Sequence, residues 1–135
     1  MKICVTVRSV MTENVVSVEK KDPIIKAIKL MTEKNIGSVI VTDGGKAVGI
    51  LTERDILRRC CPERLCERGI KVGDVMSHPL ITIEADASLG EAAMLMLDKN
   101  IRRLLVVENG KPVGIVTQKD IMRGTIETFM ALSSV

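Results

Sequence analysis

Apolar and polar positions alternate along the chain in a regular succession of short β-type runs and longer helix-type stripes. Val15-Val16-Ser17-Val18 is a short β-favouring run. Asp22-Pro23 follows with the chemistry of a helix start, an N-cap and a proline at the first helical position. Ile24, Ala27, Ile28 and Met31 then fall at i, i+3, i+4 and i+7, the spacing of one buried helix face. Val39-Ile40-Val41 and Ala47-Val48-Gly49-Ile50-Leu51 flank the turn residues Asp43-Gly44-Gly45-Lys46 and predict a β-hairpin. A second helix is predicted from about Glu53.

The same succession returns further along. A shift of 65 positions aligns residues 10–58 with 75–123 without a gap, and about two in five of the aligned pairs are identical. Val10-Met11 meets Val75-Met76, Lys34-Asn35-Ile36 meets Lys99-Asn100-Ile101, and Val48-Gly49-Ile50 meets Val113-Gly114-Ile115. The copy has Leu80-Ile81-Thr82-Ile83 as its first run and Leu89, Ala92, Ala93 and Met96 as its stripe. Ser88 and Glu91 have capping-box spacing, Glu108-Asn109-Gly110-Lys111 makes the turn, and a helix from about Gln118 runs through Phe129. Each repeat thus reads β-α-β-β-α, and the fold class is α/β of the α+β kind. One small sheet cannot bury both of its faces alone, so the two repeats are expected to pack sheet to sheet about a pseudo-twofold axis, with helices outside. The expected division is residues 1–61 for the first repeat, 62–74 for a charge-rich linker containing Pro62 and Gly69, and 75–135 for the second, all within one module.

Composition narrows the function classes. Hydrophobic residues make up 46% of the 135 and charged ones 27%, the balance of a globular chain. Phe129 is the sole aromatic residue, so there is no stacking platform for single-stranded nucleic acid. The net charge of +3 comes from interleaved acidic and basic residues, which suits a small anionic ligand better than a nucleic-acid surface. The opening MKICVTVRSVM has too short an apolar run for a signal peptide, and no segment reaches transmembrane length. Cytoplasmic residence without a membrane partner is therefore expected, and Cys4, Cys60, Cys61 and Cys66 read mainly as reduced thiols, with an intersubunit disulfide as the other option. They lack a Cys-x-x-Cys knuckle and His78 is the single histidine, so no metal site is expected. No nucleophile, acid-base pair or metal set suggests an enzyme.

The sharpest signal is a repeated tip, Gly49-Ile50-Leu51-Thr52-Glu53-Arg54-Asp55 and Gly114-Ile115-Val116-Thr117-Gln118-Lys119-Asp120, each ending a strand and opening a helix. Free N–H groups and the positive dipole end at a helix start favour phosphate, and a carboxylate can accept both hydroxyls of a ribose. The competing reading of Thr-x-x-Asp is a capping box that serves stability alone.

Two such tips, each preceded by a Val-Met-(Thr/Ser) opening, resemble the CBS domain pair over nearly the whole chain. The resemblance implies a regulatory sensor for an adenine nucleotide (AMP, ADP or ATP) in which the Thr contacts phosphate, the Asp contacts ribose hydroxyls and apolar residues sandwich the adenine. Carried over by motif position, Thr52 and Asp55 would pair with Ile81 and Ile101, and Thr117 and Asp120 with Val16 and Ile36. Ile50 and Ile115 of the tips join the candidate set. Arg102 and Arg103 follow the shared Asn-Ile where the first repeat has Gly37-Ser38, and they are expected to meet phosphate in the Asp55 site, favouring it over the other. Nothing beyond the ligand is expected as a cofactor. The resemblance also implies a homodimer, and output in trans on an effector protein. The alternatives are an S-adenosylmethionine sensor, or an interaction scaffold with degenerate sites.

Overall fold

The predicted helical stripes close onto cores of their own. In the computed structural model, which describes residues 5–13, 15–62 and 69–134, helix α1 (Ile24–Lys34) buries Ile24, Ala27 and Met31, and Ile28 packs half-buried against the same core. Helix α4 (Leu89–Lys99) does the same with Leu89, Ala92 and Met96. Both helices stop at an asparagine in the left-handed conformation, Asn35 at φ 52° and Asn100 at φ 54°. Asparagine enters that region more readily than most residues with a side chain, which accounts for the asparagine shared by the two repeats.

Asp22 does not cap α1. The extended residue at the cap is Pro23, and Asp22 Oδ2 instead accepts the Glu19 N–H at 2.9 Å with Lys26 Nζ at 3.2 Å. In the copy Ser88 is the cap, and its hydroxyl accepts from the Glu91 N–H at 3.1 Å.

Strand β1 (Ser17–Glu19) lies parallel to β2 (Ser38–Asp43), which is antiparallel to β3 (Lys46–Thr52). Strands β4 (Thr82–Glu84), β5 (Arg103–Glu108) and β6 (Lys111–Thr117) repeat this order in a second three-stranded sheet. The first strand of each copy starts two residues later than the apolar run suggests, because ladder pairing with the neighbour begins at Ser17↔Ile40 and Thr82↔Leu105. The hairpin turns lie where they are predicted, with positive φ at Gly44 and Gly45 (62° and 83°) and at Asn109 and Gly110 (52° and 75°). Positive φ at both central residues gives the turn that matches strand twist. After β3 the chain forms α2 (Glu53–Asp55) and widens into a π-helical stretch, Ile56–Cys60. After β6 it forms α5 (Gln118–Ser133). The α+β class and the β-α-β-β-α order are those read from the sequence.

The compact units cut the chain differently from the repeats. One unit is Val16–Leu80; the other joins the residues up to Val15 with those from Ile81 onward. Each sheet is completed by the opening segment of the other repeat. In the first unit the end of the predicted linker and the first residue of the second repeat form helix α3 (Val72–Val75), whose Val72 and Val75 are fully buried. Val72 and Gly73 donate to the carbonyls of Asp22 and Lys20 at 2.9 Å each, and Ile50 and Ser77 exchange backbone bonds of 3.0 and 2.8 Å. In the second unit Val7 is fully buried and donates to the Ala87 carbonyl at 2.8 Å, and Thr12 and Ile115 exchange bonds of 2.9 Å each. Arg8 clamps this segment through Glu108 at 2.7 Å and Asp86 at 3.3 Å, and those two acceptors raise the pKa of its guanidinium.

The crossing explains the shared glycine of each third strand. A Cβ on Gly49 would lie 2.8 Å from both Met76 Sδ and the Ser77 carbonyl oxygen, and one on Gly114 would lie 2.6 Å from Met11 Sδ and 2.8 Å from the Thr12 carbonyl oxygen. Backbone cannot retreat from such contacts without breaking the bridge it makes.

Cys60 is fully buried and disulfide-bonded, which corrects the expectation of a reduced thiol at that position. That expectation rested on compartment, which says nothing about whether folding brings two sulfurs together. Cys61 is a free, exposed thiol, while Cys4 and Cys66 lie outside the described residues.

Two predictions follow from these contacts. Gly49→Ala should destabilise the fold by about 1–3 kcal/mol, the usual cost of forcing an atom into a packed site, as measured by urea denaturation; unchanged stability would show that the crossing relaxes freely. The second concerns Asp22, whose carboxyl is held below its ordinary value of 3.8 by the Glu19 N–H and by Lys26. A depressed folded-state value gives stability that is present above the unfolded value and lost as pH falls through the folded one. The stability gap between the parent and Asp22→Asn should therefore be full at neutral pH and close below 3.8, as read from denaturation midpoints across an acid series.

Candidate ligand site

Each predicted tip is a complete capping box. Thr52 Oγ1 accepts the Asp55 N–H at 3.1 Å, and Asp55 Oδ2 accepts the Thr52 N–H at 3.0 Å. Thr117 and Asp120 repeat the pair at 3.2 and 2.9 Å. A cap of this kind contributes about 0.5–2 kcal/mol. Capping occupies Oδ2, however, and leaves Oδ1 of each aspartate outside the box. Asp55 and Asp120 are the buried polar or charged residues of the described chain, each 7% exposed. A buried carboxylate needs partners for its remaining lone pairs, so Oδ1 is where ligand chemistry is possible.

The two Oδ1 atoms have different neighbours. Asp55 Oδ1 accepts the Ser77 hydroxyl at 2.8 Å and lies 3.9 Å from Arg59 Nη1. The same Nη1 donates to the carbonyls of Val75 and Met76 at 3.1 and 2.9 Å, which fastens the segment carrying Ser77. Asp120 Oδ1 lies 3.7 Å from Arg123 Nη2, an ion pair without the geometry of a hydrogen bond. In the repeat alignment Thr12 stands for Ser77 and Gly124 for Arg59. A Cβ on Gly124 would lie 2.7 Å from Val10 Cγ1, so the opening segment packs where an arginine stem would run.

The other candidate residues divide between the units. Val16 and Ile36 pack half-buried against the core that includes Ile24 and Leu51, while Ile81 and Ile101 pack against the one that includes Leu89 and Val116. Ile50 and Ile115, also half-buried, make the bridges to Ser77 and Thr12. Arg103 opens β5 directly opposite Thr117, and the Arg102 carbonyl accepts the Gln118 N–H at 2.9 Å. In the other unit Ser38 is opposite Thr52, and the Gly37 carbonyl accepts the Glu53 N–H at 3.0 Å. Within one unit, then, the arginine pair accompanies Thr117 and Asp120. Directly opposite residues on paired strands project to the same face, a relation that motif spacing along the chain does not contain.

Ser77 and Arg59, which contact Asp55, are not among the residues that the sequence motif singles out. A hydroxyl at the end of both Val-Met-(Thr/Ser) openings was the available signal, but its meaning depends on the opening segment crossing to the other repeat's sheet. Among the described residues no group of three or more His, Cys, Asp or Glu side chains could hold a metal ion.

The two like sheets and doubled caps define a class of repeat module, and comparison with known proteins supplies its family. The sequence matches the CBS domain at residues 7–61 and again at 72–127. The chain belongs to the CBS domain family, whose members are regulatory modules, and it is a tandem CBS pair, or Bateman module. It is 34% identical to the CBS domain-containing protein YhcV of Bacillus subtilis over 86% of this chain and 82% of that protein. A crystal structure of an uncharacterized conserved protein from Pyrococcus horikoshii superposes with a TM-score of 0.79 at 31% identity, covering 93% of this chain and 95% of that one. A hexameric CBS-CP12 protein from bloom-forming cyanobacteria superposes with a TM-score of 0.82 at 26% identity, covering 90% and 72%. The chain spans 62%, 31%, 53% and 64% of the length of four other curated relatives that it matches.

Proposed function

We propose that this chain is a regulatory sensor that binds an adenine nucleotide (AMP, ADP or ATP) and conveys its binding state to an effector protein in the cytoplasm. The observation that carries the reading is the pair of buried aspartates, each with one oxygen left outside its capping box at a helix start. A ribose offers two adjacent hydroxyls to such a carboxylate, and the neighbouring helix N-terminus and Thr hydroxyl suit a phosphate. Arg102 and Arg103 supply guanidinium groups for the phosphate. The half-buried Val16, Ile36, Ile50, Ile81, Ile101 and Ile115 provide apolar surface for the base. A ligand changes output by its differential affinity for two states of the module, and the reading requires no catalytic group. Among the described residues, no helix is long and apolar enough to cross a membrane.

The same reading includes a homodimer. Helix α5 leaves Met122, Ile126, Phe129, Met130 and Leu132 at 50–71% exposure, and Leu97 of α4 is 73% exposed. Apolar surface this continuous on one helix is uncommon in a monomer, and twofold pairing is the commonest way to bury it.

Isothermal titration with AMP, ADP, ATP and S-adenosylmethionine tests the ligand. Micromolar binding of a nucleotide is expected, and it should weaken with added salt more for AMP than for adenosine, because only AMP meets the arginines with charge. Binding of S-adenosylmethionine alone would change the ligand class, and binding of none below millimolar would favour a scaffold. Light scattering at micromolar protein should give the mass of two chains; the mass of one, with or without nucleotide, would remove the dimer.

A further inference from the structure

The two tips have different neighbours at the free aspartate oxygen. We infer that the Ser77 hydroxyl acts as an internal substitute for a ligand hydroxyl, closing the Asp55 tip and leaving Thr117 and Asp120 as the tip that takes a vicinal diol first. The inference rests on the nucleotide reading and deepens it by naming the residue that ranks the sites.

Three observations support it, each internal to one unit. Ser77 donates to Asp55 Oδ1 at 2.8 Å, the bond that a ribose hydroxyl would have to make. The serine is held there by the backbone bridge between Ile50 and Ser77 and by Arg59, which grips the carbonyls just before it at 3.1 and 2.9 Å. At the second tip Thr12 keeps the bridge to Ile115, Gly124 removes the fastening arginine, and the described contact of Asp120 Oδ1 is Arg123 at 3.7 Å. Among the described residues no hydroxyl donates to Asp120 Oδ1, so a diol entering there has none of them to displace. Arg103, opposite Thr117 in the sheet where the first repeat has Ser38, adds a cation on the same face as that threonine.

Displacing Ser77 exchanges one hydroxyl bond to a carboxylate for another, so the ligand gains little at Asp55 from the contact that defines the motif. A hydrogen bond to a charged group contributes on the order of 1.5–3 kcal/mol net, or about a tenfold to hundredfold change in affinity. Ser77→Ala would leave Oδ1 with the Arg59 ion pair at 3.9 Å as its described contact, as Asp120 Oδ1 has Arg123, and open to a ligand hydroxyl.

The test is AMP titration of the parent, Asp55→Ala, Asp120→Ala, Ser77→Ala and the double variant Ser77→Ala/Asp55→Ala, each checked for folding by urea denaturation. The parent should lose about tenfold or more in affinity with Asp120→Ala and little with Asp55→Ala. Ser77→Ala should add or strengthen a second binding event by a similar factor, and the double variant should remove that gain. Nuclear magnetic resonance needs no variant: AMP should shift the Thr117 and Asp120 amides at lower concentration than those of Thr52 and Asp55. Nucleotide binding that depends on Asp55 and spares Asp120, amide shifts in the reverse order, or a folded Ser77→Ala without gain would overturn the ranking while leaving the nucleotide reading intact. Silence of the parent and every folded variant toward AMP, ADP and ATP would overturn both.

Discussion

Everything in this structure depends on a backbone crossing in which the opening segment of one repeat bridges the third strand of the other. At Ile50 and Ser77, and again at Thr12 and Ile115, two residues exchange backbone hydrogen bonds, and a glycine beside each bridge admits the methionine and carbonyl of the crossing chain. Any side chain atom at Gly49 or Gly114 would have to displace backbone. The constraint makes the covalent repeat and the packed unit different objects, because neither sheet is complete with its own repeat's residues alone. It also explains why the end of a segment that looks like linker carries the fully buried Val72, next to the fully buried Val75 of the second repeat.

The crossing places chemistry as well as strands. It brings Ser77 to Asp55 and Thr12 to the strand before Asp120, so a serine in the opening of the second repeat influences the tip of the first. The capping box and the ligand reading of Thr-x-x-Asp then stop being rivals, since one carboxylate oxygen serves the helix and the other is left for a partner. What distinguishes the tips is who that partner is: a fastened serine in one unit, a distant arginine in the other. Near-identical motifs thereby acquire different surroundings from neighbours many residues away.

The sequence determined the local structure because local structure depends on near neighbours. The stripes of α1 and α4, the turns at Gly44-Gly45 and Asn109-Gly110, the helix starts at Thr52 and Thr117 and the twofold repetition of β-α-β-β-α were all legible from spacing and residue chemistry. The tips themselves could be found because a Thr and an Asp three residues apart on one helix turn must meet. Tertiary structure alone decided the exchange of opening segments, the Ser77 bond to Asp55, the grip of Arg59 on two carbonyls, the strand register that sets Arg103 opposite Thr117 and the disulfide at Cys60. Each joins groups through space across a sheet register or a chain crossing, and the pairing is fixed by which backbones can approach closely enough to bond, which residue order does not encode.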